Sequence, residues 1–349
     1  RTVDIPGVIL SAAGLTTLAL ALIQGATWGW TSTKILALFA AAVVSFVAFA
    51  IVELRSANPL IDFGFFRRRN FTGAVLALFV IDFSFGALLF FLPSYFQEIL
   101  DYSAVKAGVL LLPMTALMVV ASVVGGRVAA KGDARTPIAI GLFLMGVGTF
   151  WISTMTTDTT FSTLWLPTLV AGWGVGFAIT PLNLAAINSV SKEHTGSASG
   201  ILVTLSGLGS TLGVAVTGGL FQQLLLNRTV SYAHDAGITI TKAQASNLDG
   251  VLSGAPTGTA TLQQVAGANS AALENAFREA YVSALGTSLK IAAVLLAAGI
   301  VVTIALMRKA APADTGPTTP VPAPPTRPAP RLPRPAPAAA GGPVGYSPD

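Results

Sequence analysis

The sequence predicts an all-α membrane protein, a bundle of transmembrane helices, because the chain is strongly apolar and contains eight long apolar stretches. Of its 349 residues, 53% are hydrophobic and 10% are charged, whereas about a quarter of the residues in a soluble domain are charged. Its mean hydropathy is +0.71. A soluble chain of this length could not bury that much apolar surface, so we expect lipid to be its solvent.

Each of the eight stretches is long enough to cross the hydrocarbon core of a bilayer, which takes about 20 apolar residues in a helix. The predicted spans are 5–24, 35–54, 73–95, 107–126, 136–155, 163–184, 199–221 and 286–307. The first has neither a basic segment before it nor a small-residue cleavage site after it. It is therefore predicted to be a spanning helix and not a signal peptide.

Basic residues predict the orientation of the spans, because Lys and Arg concentrate in short cytoplasmic loops. The loops 55–72 and 127–135 are rich in Arg and Lys, whereas the short loops of the opposite side contain only Lys34 and Lys106. Both ends of the chain are therefore predicted to be cytoplasmic. Four tryptophans fall at the predicted outer helix ends, as in an aromatic belt: Trp28, Trp30, Trp151 and Trp165.

Two segments are predicted to lie outside the bundle. Residues 222–285 are rich in Ala, Thr, Ser, Asn and Gln, and we expect an extracytoplasmic loop with short helices near 262–281. The end of the chain, 308–349, is dominated by Pro and Ala. That composition cannot form a packed core, so it predicts a disordered cytoplasmic tail.

Several classes of function are excluded by what the sequence lacks. It has no cysteine and two histidines, so we expect neither thiol chemistry nor a metal site. No phosphate-binding loop, dinucleotide fingerprint or nucleophile elbow is present, which argues against an enzyme, an organic cofactor and ATP-driven transport. The net charge of +5 is small and spread over loops, so no nucleic-acid partner is expected.

Asp82 is the most informative single residue, because it is an acid within an apolar stretch. It lies ten residues into the span 73–95, or roughly 14 Å from the start of that helix. A carboxylate near the bilayer centre costs about 2.5–3.5 kcal/mol and therefore faces protein or a water-filled cavity. We interpret Asp82 as a proton- or cation-coupling group. The alternative is an acid hydrogen-bonded to Ser or Thr of a neighbouring helix.

Small residues recur at four-residue steps on two spans, at Gly172 and Gly176 and again at Gly209 and Gly213. This spacing allows helices to approach closely. It also allows helices to slide past each other during alternating access, and the two interpretations are compatible.

A further set of residues combines apolar, aromatic and soft side chains with a few polar groups, as drug pockets do. These candidates for a substrate pathway are Phe79, Phe83, Gly86, Pro93, Tyr95, Gln97, Met114, Met118, Trp173 and Pro181. The alternative for each is that it faces lipid or a neighbouring helix.

Local motifs in a fixed order identify a family. Trp28-Gly29-Trp30 closes the first span, and Pro93-Ser94-Tyr95-Phe96-Gln97 ends the third. Gly172-Trp173-Gly174-Val175-Gly176 precedes Pro181, and Gly196-Ser197-Ala198-Ser199-Gly200 opens the seventh span. Over about residues 1–221 this series resembles the fourteen-helix drug:proton antiporters of the major facilitator superfamily.

The resemblance implies a domain organisation and a function. Residues 1–70 correspond to two central helices and a cytoplasmic loop, 71–307 to the C-terminal six-helix half, and 308–349 to the tail. An N-terminal six-helix half, expected as the partner of this half, would be missing here. The implied function is efflux of drugs or other hydrophobic or cationic molecules across a bacterial cytoplasmic membrane, with the proton gradient as energy source and no cofactor.

The family's loop motif Gly-Arg-x-Ala-Asp-Arg-x-Gly-x-Arg appears in altered form at 126–135. The sequence there begins Gly126-Arg127 and keeps the basic residues Lys131 and Arg135, but Ala130 occupies the acidic position. The resemblance implies a cytoplasmic gate that involves Gly126, Arg127, Lys131 and Arg135, without an ion pair at position 130.

Two alternatives remain open at this point. Eight helices without a second half could belong to a truncated product or a membrane scaffold that does not transport. The protein could also export a specific metabolite, such as an amino acid, a siderophore or a lipid.

Overall fold

A computed structural model describes residues 5–55, 63–131, 133–238 and 270–307, together with Gly345. It contains eight long helices: α1 (Ile5–Trp28), α2 (Thr33–Arg55), α3 (Arg69–Glu98), α4 (Ala104–Ala130), α5 (Arg135–Ile152), α6 (Phe161–Asn188), α7 (Thr195–Asp235) and α8 (Ser270–Leu306). Each is long and apolar enough to cross a membrane, so the all-α fold class and all eight predicted spans are confirmed.

The chain divides into two compact units, Arg1–Pro312 and Ala313–Asp349. All the helices belong to the first unit. The predicted tail of 308–349 lies outside the described residues apart from Gly345.

Local polar contacts fix where two of the helices begin. The Ser103 side chain accepts a hydrogen bond from the Lys106 backbone N–H at 3.3 Å and thus caps α4, as a serine at a helix N-terminus commonly does. Before α5, the Asp133 carboxylate accepts hydrogen bonds from the Arg135 backbone N–H at 3.0 Å and from the Thr136 hydroxyl at 2.6 Å. Asp133, which lies within the altered loop motif of 126–135, therefore stabilises the start of α5.

Part of the predicted extracytoplasmic loop of 222–285 is helical. Helix α7 continues to Asp235, and from Ser270 onward the chain forms one continuous helix, α8. The extensions are stabilised by packing, since Leu225 and Ala233 of α7 and Leu273 of α8 are buried in one core cluster. Polar residues on the opposite faces lower the mean hydropathy of these segments, so hydropathy alone does not reveal that they are helical. Residues 239–269 lie outside the described part of the chain.

The helices from α3 onward form one bundle with α3 near its centre. Helix α3 packs mainly against α7 and α8, α6 packs against α4 and α5, and α8 also contacts α5 and α7. Two apolar clusters form the core, one around Tyr95 and Phe91 and the other around Phe71 and Leu78. Helices α1 and α2 form a hairpin that reaches the bundle through α7, where the Trp30 ring lies 3.5 Å from the position of a Cβ on Gly219.

Large apolar side chains cover much of the outer surface, which is expected for a bundle surrounded by lipid. On helix α4, for example, Val105, Val109 and Leu112 are exposed. The four tryptophans of the predicted belt are 38% to 48% exposed, and they lie in the α1–α2 turn or near the facing ends of α5 and α6. The orientation of the bundle across the membrane stays a prediction.

Candidate functional site in the α3–α7 interface

Helices α3 and α7 approach each other along a seam that we define by Phe79, Asp82, Phe83 and Gly86 of α3 and Ser206, Gly209, Ser210 and Gly213 of α7. Glycine makes this approach possible. A Cβ on Gly209 would lie 2.7 Å from the Phe79 carbonyl oxygen, and one on Gly86 would lie 2.7 Å from the Ser210 carbonyl oxygen. Both distances are too short for real contacts, so the two backbones touch where side chains would otherwise separate them.

Asp82 is buried in this seam. Its side chain is among the few buried charged groups of the described residues, at 7% exposure. The Ser206 side chain lies near this carboxylate, and a Cβ on Gly209 would lie 3.3 Å from the Asp82 Cβ. A serine of a neighbouring helix is thus close to the acid, as the alternative from the sequence requires, and this placement is compatible with a role in coupling.

One carboxylate oxygen of Asp82 is unsatisfied in its hydrogen bonding. Oδ2 is buried and has no hydrogen-bond partner among the described residues. A buried polar atom without a partner costs about 1–3 kcal/mol. Oδ2 is therefore the atom of the seam that gains most from a proton or from a cationic ligand.

Asp82 lies near the middle of its helix. It is the fourteenth residue of α3, which has 30 residues, so it lies about 20 Å along a helix of about 45 Å. The depth of Asp82 in a membrane stays a prediction. Phe79 and Phe83 flank it on the same helix, with ring centroids 6.5 Å apart. Phe83 is 6% exposed and Phe79 is partly exposed.

A second glycine contact joins α4 and α6. A Cβ on Gly176 would overlap the Met118 carbonyl, and one on Gly172 would lie 2.5 Å from the Met114 Cγ. The Met114 side chain is 1% exposed. Met114 therefore fills the contact between two helices, and we leave it out of the proposed substrate pathway.

Tyr95 also occupies a different place from the predicted one. Its side chain is fully buried, and its hydroxyl lies 3.0 Å and 2.8 Å from the carbonyl oxygens of Thr156 and Thr159 in the loop between α5 and α6. The ring fills the core and the hydroxyl fastens α3 to that loop. Tyr95 therefore lines no open pathway in this structure.

The other pathway candidates are dispersed. Pro181 is buried, while Pro93, Met118 and Trp173 are partly exposed. Gln97 is exposed and donates a hydrogen bond from Nε2 to the Pro93 carbonyl at 3.1 Å. The structure therefore brings Phe79, Phe83 and Gly86 together with Asp82 and leaves the rest apart.

The four residues of the predicted cytoplasmic gate lie around the connection between α4 and α5. Gly126 and Arg127 belong to the last turns of α4, and Lys131 ends that helix. Arg135 begins α5 and lines a cleft there. Arg127 and Lys131 are exposed. Among the residues that the structure describes, no group of three or more His, Asp and Glu could hold a metal ion.

Glu53 was missed by sequence reasoning. Its position at the end of α2, close to Arg55, is typical of a solvated acid, yet its side chain is 2% exposed. No sequence signal distinguishes it, because burial here depends on contacts between distant parts of the chain.

Comparison with known proteins places the chain among transporters. The family model described as Major Facilitator Superfamily matches residues 6–214. Multidrug resistance protein 3 of Bacillus subtilis is 31% identical over 229 residues, which is 65% of this chain and 45% of that protein. Methylenomycin A resistance protein of Streptomyces coelicolor is 30% identical over 249 residues, or 71% of this chain and 51% of that protein. The chain thus spans about half the length of these curated relatives.

A crystal structure of a bacterial homologue of the human lysosomal transporter Spinster, inward-facing and unoccupied, aligns with a TM-score of 0.48 at 16% identity. The alignment covers 86% of this chain and 68% of that one.

Proposed function

The chain belongs to the Major Facilitator Superfamily, and we propose that it works as part of a secondary active transporter that exports hydrophobic or cationic small molecules in exchange for protons. The proposed location is a bacterial cytoplasmic membrane. The relatives it matches are resistance proteins of Bacillus and Streptomyces, which supports efflux as the direction of transport.

The observation that carries the proposal is the Asp82 carboxylate with its unpartnered oxygen. An ionisable group inside a membrane span is costly and is typical of a proton or ion pathway. A proton on Oδ2 satisfies that atom, and so does a cationic substrate. Because one site can hold either, binding of the substrate would displace the proton, and this competition is the simplest form of exchange.

The glycine contacts suit a protein that changes shape. Around Asp82, backbone touches backbone at Gly209 and Gly86, so at these positions no side chain stands between α3 and α7. We propose that such smooth contacts let the helices shift when the proton is exchanged, as alternating access requires.

Transport also needs protein on the opposite side of the pathway, facing the bundle of α3 to α8. We propose that a second six-helix bundle provides it, with α1 and α2 as the additional central helices. Several apolar side chains on α4, among them Val119 and Val120, are more than half exposed. They provide a surface that lipid or such a bundle would cover.

The test is export by the full-length protein in a bacterial strain that lacks its own efflux pumps. We expect Asp82→Asn to reduce protonophore-sensitive export of cationic dyes by at least about ten-fold, which corresponds to about 1.4 kcal/mol of lost coupling. The matched control is Asp235→Asn, which removes the same charge from an exposed position at the end of α7.

Two results would count against the proposal. One is unchanged protonophore-sensitive export of both monovalent and divalent dyes by Asp82→Asn. The other is an equal loss in the Asp235→Asn control. Proton release from everted vesicles on addition of dye gives an independent measurement, and Asp82→Asn should abolish it while membrane insertion stays normal.

A further inference from the structure

A basic cleft lies where α3 and α5 begin and where α6 and α8 end. It consists of two adjoining cavities of about 480 Å³ and about 470 Å³ that share Asn70 and Ser189. Three arginines and three uncharged polar residues line it: Arg68, Arg69, Arg135, Asn70, Asn188 and Ser189. Among the described residues that line either cavity, none is acidic.

One arginine is held in place by the protein. The Arg68 guanidinium donates from Nη1 to the Ser189 carbonyl, which fixes the side chain against the end of α6. A guanidinium carries five N–H donors, so most of them remain for a ligand. The nearby acid Asp133 is engaged by the Arg135 backbone N–H and the Thr136 hydroxyl, so its carboxylate serves the start of α5.

The floor of the cleft is apolar. Ala129, Ala130, Leu184 and Met307 line the second of the two cavities, and the Met307 side chain is 4% exposed. A ligand that fits this cleft therefore has a negatively charged group for the arginines and an uncharged portion for the apolar floor. Planar guanidinium groups match phosphate oxygens in pairs, so a phosphate is the group that this donor set binds best.

The position of the cleft suggests the source of the phosphate. The cleft lies at the ends of four helices that are long and apolar enough to span a membrane, so we expect it at the level where lipid headgroups meet the hydrocarbon core. Basic pockets between helix ends on the cytoplasmic side of a membrane are suited to anionic headgroups, and the charged loops of this chain predict that side. We propose that the basic cleft binds the phosphate of an anionic lipid headgroup and thereby holds the ends of α3, α5 and α6 together.

The test uses the full-length protein purified in a neutral detergent and titrated with three probes. These are a short-chain phosphatidylglycerol, the matching phosphatidylcholine and inorganic phosphate, and both lipid adducts in native mass spectrometry and the melting temperature are measured. Arg69→Gln combined with Arg135→Gln removes two cleft charges. Arg127→Gln combined with Lys131→Gln is the matched control, because these two cations are exposed nearby and line neither cavity.

We expect the wild type to bind phosphatidylglycerol at least about ten-fold more tightly than phosphatidylcholine. Binding should weaken about five-fold for each cleft arginine removed and less than two-fold in the control. Arg69→Lys with Arg135→Lys should retain most of the binding, since it keeps the charges. If the double variant does not purify, each single Gln variant should still show its five-fold loss.

The outcomes separate the possible ligands. Phosphatidylglycerol binding that inorganic phosphate does not match assigns the site to lipid. Equal stabilisation by both probes, lost in the same variants, supports phosphate binding but overturns the assignment to lipid. Equal binding by the wild type and the cleft variant, or an equal loss in the control pair, overturns the site itself.

Discussion

Gly213 of α7 lies against the backbone of Phe83 of α3 so closely that a Cβ on this glycine would overlap the Phe83 carbonyl. The contact is between two main chains and lies at the residue that directly follows Asp82. The packing of the seam and the position of its acid therefore depend on the same few residues.

Gly213→Ala should destabilise the bundle by about 1–3 kcal/mol, since the added methyl group forces α3 and α7 apart. Gly218→Ala is the control, because a Cβ there meets nothing within 4 Å and lies on the same helix. Melting temperatures in one detergent compare them. Equal values for the two variants would contradict the close contact.

Ser206→Ala should weaken proton-coupled export, but less than Asp82→Asn does. The change removes the hydroxyl that lies near the Asp82 carboxylate and leaves the acid in place, and one hydrogen bond contributes about 0.5–1.5 kcal/mol. We expect a loss of up to about ten-fold in the dye-efflux rate. Ser122→Ala, whose hydroxyl bonds only within α4 at 2.8 Å, should have no effect. A loss as large as that of Asp82→Asn would mean that Ser206 does more than orient the acid.

Tyr95→Phe should lower stability and leave substrate choice unchanged. The substitution removes the hydroxyl that reaches the Thr156 and Thr159 carbonyls, at a cost of about 1 kcal/mol. Thermal unfolding measures the first effect, and export rates for a panel of unrelated dyes measure the second. A selective change in the panel would return Tyr95 to the substrate pathway.

The ion pair between Asp101 and Arg278 should contribute little. Arg278 Nη2 lies 3.0 Å from Asp101 Oδ2, and Arg278 Nη1 donates to the Ile99 carbonyl at 3.2 Å. The Asp101 side chain is 74% exposed, and exposed pairs contribute about 0.2–1 kcal/mol. A double-mutant cycle of Asp101→Asn and Arg278→Gln should give a coupling in that range that shrinks in high salt. A coupling well above this range, unaffected by salt, would show that the pair is less hydrated than its exposure indicates.

The spans could be predicted because crossing a membrane sets a length and a hydropathy that are visible in one sequence. The extensions of α7 and α8 could not be predicted in this way. Their buried residues, such as Leu225 of α7 and Leu273 of α8, are interspersed with polar residues that face outward. Asp82 could be found because it stands alone in an apolar stretch. Its contact with Ser206 could not, since α3 is apolar on all sides and no face identifies its partner.

Tyr95 and Met114 show why the pathway was only partly predictable. A tyrosine near a helix end looks the same in sequence whether its hydroxyl meets a ligand or two backbone carbonyls. A methionine near Pro113 looks the same whether it lines a cavity or packs on Gly172. Such distinctions depend on contacts between residues distant in sequence.

Helix α7 has 41 residues and is therefore about 60 Å long, twice the thickness of a bilayer's hydrocarbon core of about 30 Å. With α8 packed along it, the part beyond the lipid forms a rigid helical projection. A small protein domain fused to this projection through a continuous helix would move with the bundle. Such a domain would give electron microscopy a rigid feature for aligning particles whose remaining mass is surrounded by detergent.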